Sequence, residues 1–310
     1  MADSAATALE IDGLRVEYGR KRGKVTPAVR GLSLRVGRGE VVGFIGPNGA
    51  GKTTTIKVLM GFRRPDAGSA TIFGSACGDG AARRRVGYLP EVAQYYPFLT
   101  AREALRLYAV LSEVPKGARP GVTDAVLDRV GLRARADEPL KTYSKGMLQR
   151  LGIAQAILGD PDLLILDEVN SGLDPVARHD VRNILIDYKE RGRTVFFSSH
   201  ELSEVALICD RVVLVDCGRV VVERTTSDLL ASLRRHLVTA VSSPTDRPLP
   251  ANVSVRGGAD GHVTYQACGS AALDGLREHL LAAGARIASV VEEPASLEDF
   301  FVQTVGHKVS

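Results

Sequence analysis

The chain has 310 residues, 45% of them hydrophobic and 25% charged, which is long enough for two domains and too apolar for a disordered chain. Its net charge of +4 is too weak to argue for a nucleic-acid partner, and no nucleic acid is expected. No run of about 18 apolar residues offers a membrane-spanning helix.

The four cysteines, Cys77, Cys209, Cys217 and Cys268, show no CxxC spacing and read as free thiols in a reducing compartment. The first residues lack a charged start and a long apolar core, so no secretory signal is expected. If the protein works at a membrane, another chain is expected to cross it. Arginine clusters such as Arg20-Lys21-Arg22, Arg83-Arg84-Arg85 and Arg234-Arg235 read as solvated faces, with a lipid headgroup surface as the alternative.

Residues 9–18 alternate as a strand, with Ile11, Leu14 and Val16 apolar and Tyr18 closing it before Gly19. After a short basic loop, residues 29–36 resume strand character. Residues 41–45, Val-Val-Gly-Phe-Ile, read as a buried strand. They lead into Gly46-Pro47-Asn48-Gly49-Ala50-Gly51-Lys52-Thr53, which fits G-x-x-x-x-G-K-[ST]. The helix that follows carries Ile56, Leu59 and Met60 at helical spacing. The glycines let successive N–H groups converge on phosphate oxygens, and the helix turns its positive end to the same phosphates. Lys52 adds a mobile cation for the β- and γ-phosphates, and Thr53, with Thr54 beside it, offers a hydroxyl to Mg²⁺. The stretch predicts a nucleoside triphosphate site.

Residues 68–73 read as another strand. From Thr100 the pattern turns helical, with Glu103 completing a capping box and Ala104, Leu107, Tyr108 and Leu111 forming a stripe. Residues 115–121 read as a loop, 122–130 as a second helix, and Ser144 opens a third. Two continuously apolar strands, 163–166 and 194–197, suit parallel strands covered on both faces, with a crossover helix at 175–191 between them. Residues 211–215 and 219–222 suggest a hairpin around Cys217-Gly218. Beyond residue 224 come a short helix at 227–235, a connector at 242–251, strands at 253–256, 263–267 and 286–291, and a helix at 271–283. This last region reads as a small α+β appendage.

The first apolar strand of the second half ends in Asp167 and Glu168, acids delivered to the sheet edge where the phosphate loop also emerges. Asp167 suits a water-mediated Mg²⁺ ligand, and Glu168 a group that polarises the attacking water.

With these pieces in hand the chain resembles the ATP-binding-cassette (ABC) ATPases over about residues 8–224. Tyr143-Ser144-Lys145-Gly146-Met147 resembles their signature, Ser171-Gly172-Leu173-Asp174 their D-loop, and Ser199-His200-Glu201-Leu202 their switch-histidine segment. Tyr18 stands where that family stacks an aromatic ring on adenine. The resemblance implies an α/β fold: a P-loop NTPase (RecA-like) core with an antiparallel β subdomain and a helical signature subdomain at about 99–160. It implies a nucleotide-binding domain at 1–224 and an accessory α+β domain at 225–310. It implies ATP and Mg²⁺ as cofactors and two cassettes packed head to tail. Ser144, Gly146 and Asp174 would then serve the partner copy's ATP, and His200 would bind the γ-phosphate and the water.

The signature reads YSKGM rather than LSGGQ, and Glu91 stands where a glutamine usually senses Mg²⁺ and water. Together with the tail Ser296-Leu297-Glu298-Asp299-Phe300-Phe301, these features resemble the ATPase subunits of bacterial exporters with a separate integral-membrane permease. Such a subunit sits on the cytoplasmic face of the membrane. The apolar run from Tyr95 to Leu99 would face that permease. The competing expectation is a soluble ABC-type ATPase acting on a macromolecular target other than a transporter.

Overall fold

The computed structural model of the protein describes residues 6–21, 24–170, 172–199, 202–241, 248–259 and 261–293. Ser171, His200, Glu201 and the tail motif at 296–301 lie outside the described residues. The chain divides into two compact units, Met1–Glu223 and Arg224–Ser310.

In the first unit, β1 (Thr7–Lys21) and β2 (Lys24–Gly37) form a long antiparallel hairpin. The strand does not stop at Tyr18: Tyr18 pairs with Thr26 and Lys21 with Lys24. Partner hydrogen bonds outweigh the loop-like composition of this basic stretch. β3 (Val41–Ile45) is buried throughout, and α1 (Lys52–Leu59) follows it. β4 (Ala67–Ile72) pairs antiparallel with β1, and β5 (Ser75–Ala76) with β4. The one-turn helix α2 (Gly80–Arg83) and the short strand β6 (Val86–Leu89) come next.

The helical segment holds α3 (Ala101–Leu111), α4 (Arg119–Arg129) and α5 (Lys145–Ile157). Thr100 and Glu103 make the expected capping box on α3. α4 begins at Arg119 rather than at 122, because Pro120 sits in its first turn, where a fixed φ and a missing N–H cost nothing. The expected loop is therefore shorter. β7 (Leu163–Leu166), α6 (Pro175–Glu190), β8 (Thr194–Ser199), α7 (Leu202–Ile208), β9 (Arg211–Asp216) and β10 (Arg219–Thr225) complete the unit. Cys217 and Gly218, with φ of 48° and 77°, make the hairpin turn between β9 and β10, positive φ at both positions being the type I′ signature.

Among the described residues the first unit has two sheets, β2-β1-β4-β5 and β10-β9-β3-β8-β7-β6. In the second sheet β9, β3, β8, β7 and β6 run parallel. The order puts β8 between the strand that feeds the phosphate loop and the strand that ends in Asp167-Glu168. Ile45 is level with Ser199, and Leu166 with Phe197, so all three strand ends open on one edge. Phe44 and Phe196, with ring centroids 5.1 Å apart, pack this sheet from within.

The second unit runs α8 (Thr226–Leu233), β11 (Arg235–Val241), β12 (Val253–Ala259), β13 (His262–Cys268), α9 (Ser270–Ala282) and β14 (Arg286–Glu293). Its sheet order is β12-β13-β11-β14. The strand β11 replaces the expected end of a helix at Arg235. It is central to the sheet and hydrogen-bonded on both sides. Its inward face, His236, Val238 and Ala240, alternates with half-buried neighbours. Leu276 and Leu280 of α9 pack on Val238, Ala240, Tyr265 and Ala267.

Candidate functional site: a phosphate loop facing two acids

The phosphate loop is built by close approach as much as by turning. Gly46 does not adopt positive φ; its glycine is required for space, since a Cβ there would lie 2.2 Å from the Val215 carbonyl oxygen. Gly51, at φ 103°, is required on both counts, because a Cβ would also meet the Ala28 carbonyl at 2.6 Å. Pro47 and Ala50 close a turn through the Ala50 N–H and the Pro47 carbonyl, 3.1 Å apart. Asn48 and Gly49 form its tip. Gly51 caps α1 without any side-chain hydrogen bond, so the first N–H groups of the helix face the loop available for an anion.

The Lys52 ammonium, expected to serve phosphate, has partners of its own in the loop. Only 6% of it is exposed, and its ammonium donates to the Gly46 carbonyl at 2.7 Å and to the Pro47 carbonyl at 3.4 Å. It also lies 3.3 Å from Glu168 Oε1. A buried ammonium must be compensated by acceptors, and the loop supplies them.

Glu168 is itself largely buried and holds a left-handed backbone, φ 51°. That conformation costs a non-glycine residue on the order of 1–3 kcal/mol and persists only where neighbours enforce it. Ser198 is one such neighbour: its hydroxyl accepts the Glu168 N–H at 2.9 Å and donates to Asp167 Oδ1 at 2.6 Å. One hydroxyl thus fixes both acids. Gln149 is another, donating from α5 to the Val169 carbonyl at 3.1 Å and reaching the Glu168 carbonyl at 3.5 Å.

Asp167 is buried, and its Oδ2 has no hydrogen-bond partner. Burial pushes its carboxyl up; the hydroxyls of Ser198 and Thr53 oppose that, and the nearby charges of Glu91 and Glu168 reinforce it. A carboxylate oxygen that is buried, orphaned and crowded by other acids suits a divalent cation. No cluster of three side-chain metal ligands occurs among the described residues. Mg²⁺ needs none, since it takes one or two protein oxygens and completes its shell with phosphate and water. Glu91 is exposed and acts on Asp167 through its charge.

The sites read from the sequence fall into two groups. Lys52, Thr53, Asp167 and Glu168 converge, and Tyr18 joins their margin with its hydroxyl 3.5 Å from Thr54 Oγ1. Ser144, Gly146 and Asp174 form the other group. Ser144 caps α5, accepting the Met147 N–H at 3.2 Å, and Asp174 caps α6, accepting the Ala177 N–H at 2.8 Å. Gly172 joins the two, because a Cβ on it would lie 2.5 Å from Lys145 Cε and its carbonyl oxygen borders Gly146. His200 lies outside the described residues. Ser198 and Gln149 were missed by sequence reasoning. The polar Ser198-Ser199 pair closing an apolar strand was the available signal for the first.

The expected patch from Tyr95 to Leu99 divides in two. Tyr95 turns inward, donating to Gln155 Oε1 at 2.9 Å and meeting Tyr108 edge-on at 6.2 Å. Leu99 is half-buried. Tyr96 and Phe98 stay 64% and 71% exposed and stack on each other at 5.6 Å. Tyr96 lines a cleft of about 410 Å³ together with Gln94, Leu99, Ala104 and Leu107.

The family profile described as ABC transporter matches residues 29–171. The chain is 39% identical over 280 residues to an ABC transporter ATP-binding protein of Synechocystis, covering 89% of this chain and 78% of the relative. It is 34% identical over 308 residues to the fluoroquinolones export ATP-binding protein of Mycobacterium tuberculosis, covering 97% and 94%. A solved structure of the ATP-binding subunit of an ABC transporter superposes with a TM-score of 0.65 at 33% identity, over 72% of this chain and 91% of that one.

Proposed function

We propose, for a chain that belongs to the ABC transporter ATP-binding proteins, a division of labour among its residues that drives export through a separate permease. The observation that carries it is the Lys52–Glu168 pair at 3.3 Å, set beside an orphaned Asp167 oxygen.

ATP phosphates enter between the loop N–H groups and the start of α1. Gly46, Pro47, Asn48, Gly49, Ala50, Gly51 and Thr54 line the cradle, and Lys52 exchanges Glu168 for the β- and γ-phosphates. Tyr18 stacks on adenine. Asp167 and the Thr53 hydroxyl would hold Mg²⁺, with Glu91 biasing that end of the site by charge. When bound, Mg²⁺ neutralises charge that develops on the phosphoryl oxygens. Glu168, released from Lys52, takes a proton from the attacking water, and His200 orients that water and the γ-phosphate.

Ser144, the Gly146 N–H and Asp174 stand at the exposed starts of α5 and α6, where they serve the ATP of a second copy packed head to tail. Gln149 ties α5 to the carbonyls beside Glu168, so the signature of one site is mechanically joined to the base of the other. The domain scheme is a nucleotide-binding domain at 1–224, with its helical part at about 99–160, and an accessory domain at 225–310. The chain works at the cytoplasmic face of the membrane. Export is favoured by the full-length likeness to the fluoroquinolones export protein of Mycobacterium tuberculosis.

Tyr96 and Phe98 are the side chains a permease would bury, because two stacked, exposed rings beside an open cleft gain most from apolar cover. Phe98→Asp is expected to leave folding and the soluble chain's turnover unchanged. Co-purification with the permease in mild detergent, and stimulation of turnover by it, should both be lost. A variant that still binds the permease normally would contradict this reading.

A further inference from the structure

Arg63 lies shortly after α1, and its guanidinium carbon sits 5.3 Å from the centre of the Tyr18 ring. One of its nitrogens donates to the Glu17 carbonyl at 2.7 Å and reaches Asp66 Oδ2 at 3.4 Å. Asp66 in turn accepts the Glu17 N–H at 2.7 Å. Both backbone groups of Glu17, the residue before Tyr18, are therefore held by side chains.

The ladder between β1 and β4 explains why side chains are needed there. Its last pairing is Arg15 with Ala67, and the Asp66 N–H donates to the Arg15 carbonyl at 2.9 Å. Two residues further along, Glu17 presents its N–H and C=O to the same edge, where β4 has ended. Asp66 and Arg63 take the place of the missing strand. The Tyr18 ring is then held at its base through Glu17 and on one face by Arg63, with its hydroxyl 3.5 Å from Thr54 Oγ1, yet the residue is 40% exposed.

We infer that Arg63 is a positioning residue for the nucleotide base. It covers one face of the Tyr18 ring and presents the other, which sets how much of the nucleotide affinity comes from the base rather than the phosphates. This rests on the reading of Tyr18 as the base-stacking residue. An unpinned tyrosine loses rotamer freedom when a base stacks on it; here that freedom is removed on folding. A guanidinium within about 6 Å of a ring face is attracted to the ring, and its planar fork can bond backbone and carboxylate at once, which an ammonium does less well.

The test uses the full chain and two ligands, ATP and inorganic tripolyphosphate, the second having phosphates and no base. Tyr18→Ala is expected to weaken ATP about tenfold or more, the range for losing one stacked base, with tripolyphosphate unchanged. Arg63→Ala is expected to weaken ATP about three- to tenfold, again with tripolyphosphate unchanged, and Arg63→Lys to fall between it and the parent. If Arg63→Ala does not fold, Arg63→Lys decides alone: an ATP-selective loss supports the inference and parental affinity overturns it. Arg63→Ala with parental ATP affinity, or with equal losses for both ligands, overturns the inference while the Tyr18 result stands. A Tyr18→Ala variant without an ATP-selective loss removes the base-stacking reading itself, and the inference with it.

Discussion

Glu168→Gln is expected to bind ATP yet hydrolyse it about 10²–10⁴ times more slowly, the range for losing a general base. The substitution keeps the shape of a buried side chain whose backbone is already fixed by Ser198. It removes the group that would take the proton from water. It also removes a negative charge from beside the incoming γ-phosphate, and it replaces the ion pair with Lys52 by a weaker contact to a neutral amide, beside the Gly46 and Pro47 carbonyls. Lys52 is then more available to phosphate, so an ATP-bound pair of chains should accumulate. Size-exclusion chromatography with ATP and Mg²⁺ would show it. A variant with parental turnover that stays monomeric would argue against both the base and the two-copy arrangement.

Lys52→Ala is expected to weaken ATP by about 10²-fold, since charge-assisted hydrogen bonds to two phosphates go with the ammonium. The same change removes the Lys52 ammonium from beside the buried Glu168 carboxylate. Binding of a fluorescent ATP analogue measures the first effect. Parental affinity in this variant would contradict the placement of the phosphates.

The parts of this site legible in the sequence are those dictated locally. A five-residue apolar run could only be the buried β3, a four-residue run only β7, and Thr100 with Glu103 only a helix start; all three lie where the pattern puts them. The hairpin around Cys217-Gly218 was readable for the same reason, and the structure adds its positive φ at both positions. What could not be read depends on partners distant in the chain. Ser198 matters because β8 lies between β3 and β7, an order set by the sheet rather than by any residue near 198. The partners of Lys52 could not be read, because they include Glu168, far along the chain. Tyr95 looked like a neighbour of Tyr96 and Phe98 in one patch, yet its hydroxyl finds Gln155, sixty residues along the chain, and the ring turns inward to it. The strand β11 has weak β-formers at His236 and Ala240, and two flanking strands make it a strand nonetheless.

The central claim is that each hydrolytic site is shared, the phosphate loop and acids of one chain completed by Ser144 and Gly146 of another. Mixing two inactive variants tests it most directly. Ser144→Arg should keep its own ATP cradle but foul the partner's site, and Lys52→Ala should lose its cradle but keep an intact signature. In a mixed pair, one of the two shared sites combines the intact cradle of the first with the intact signature of the second. ATP turnover by the mixture is predicted to rise well above that of either variant alone. A mixture as inactive as its components, or a Ser144→Arg chain that turns over ATP normally by itself, would contradict the account.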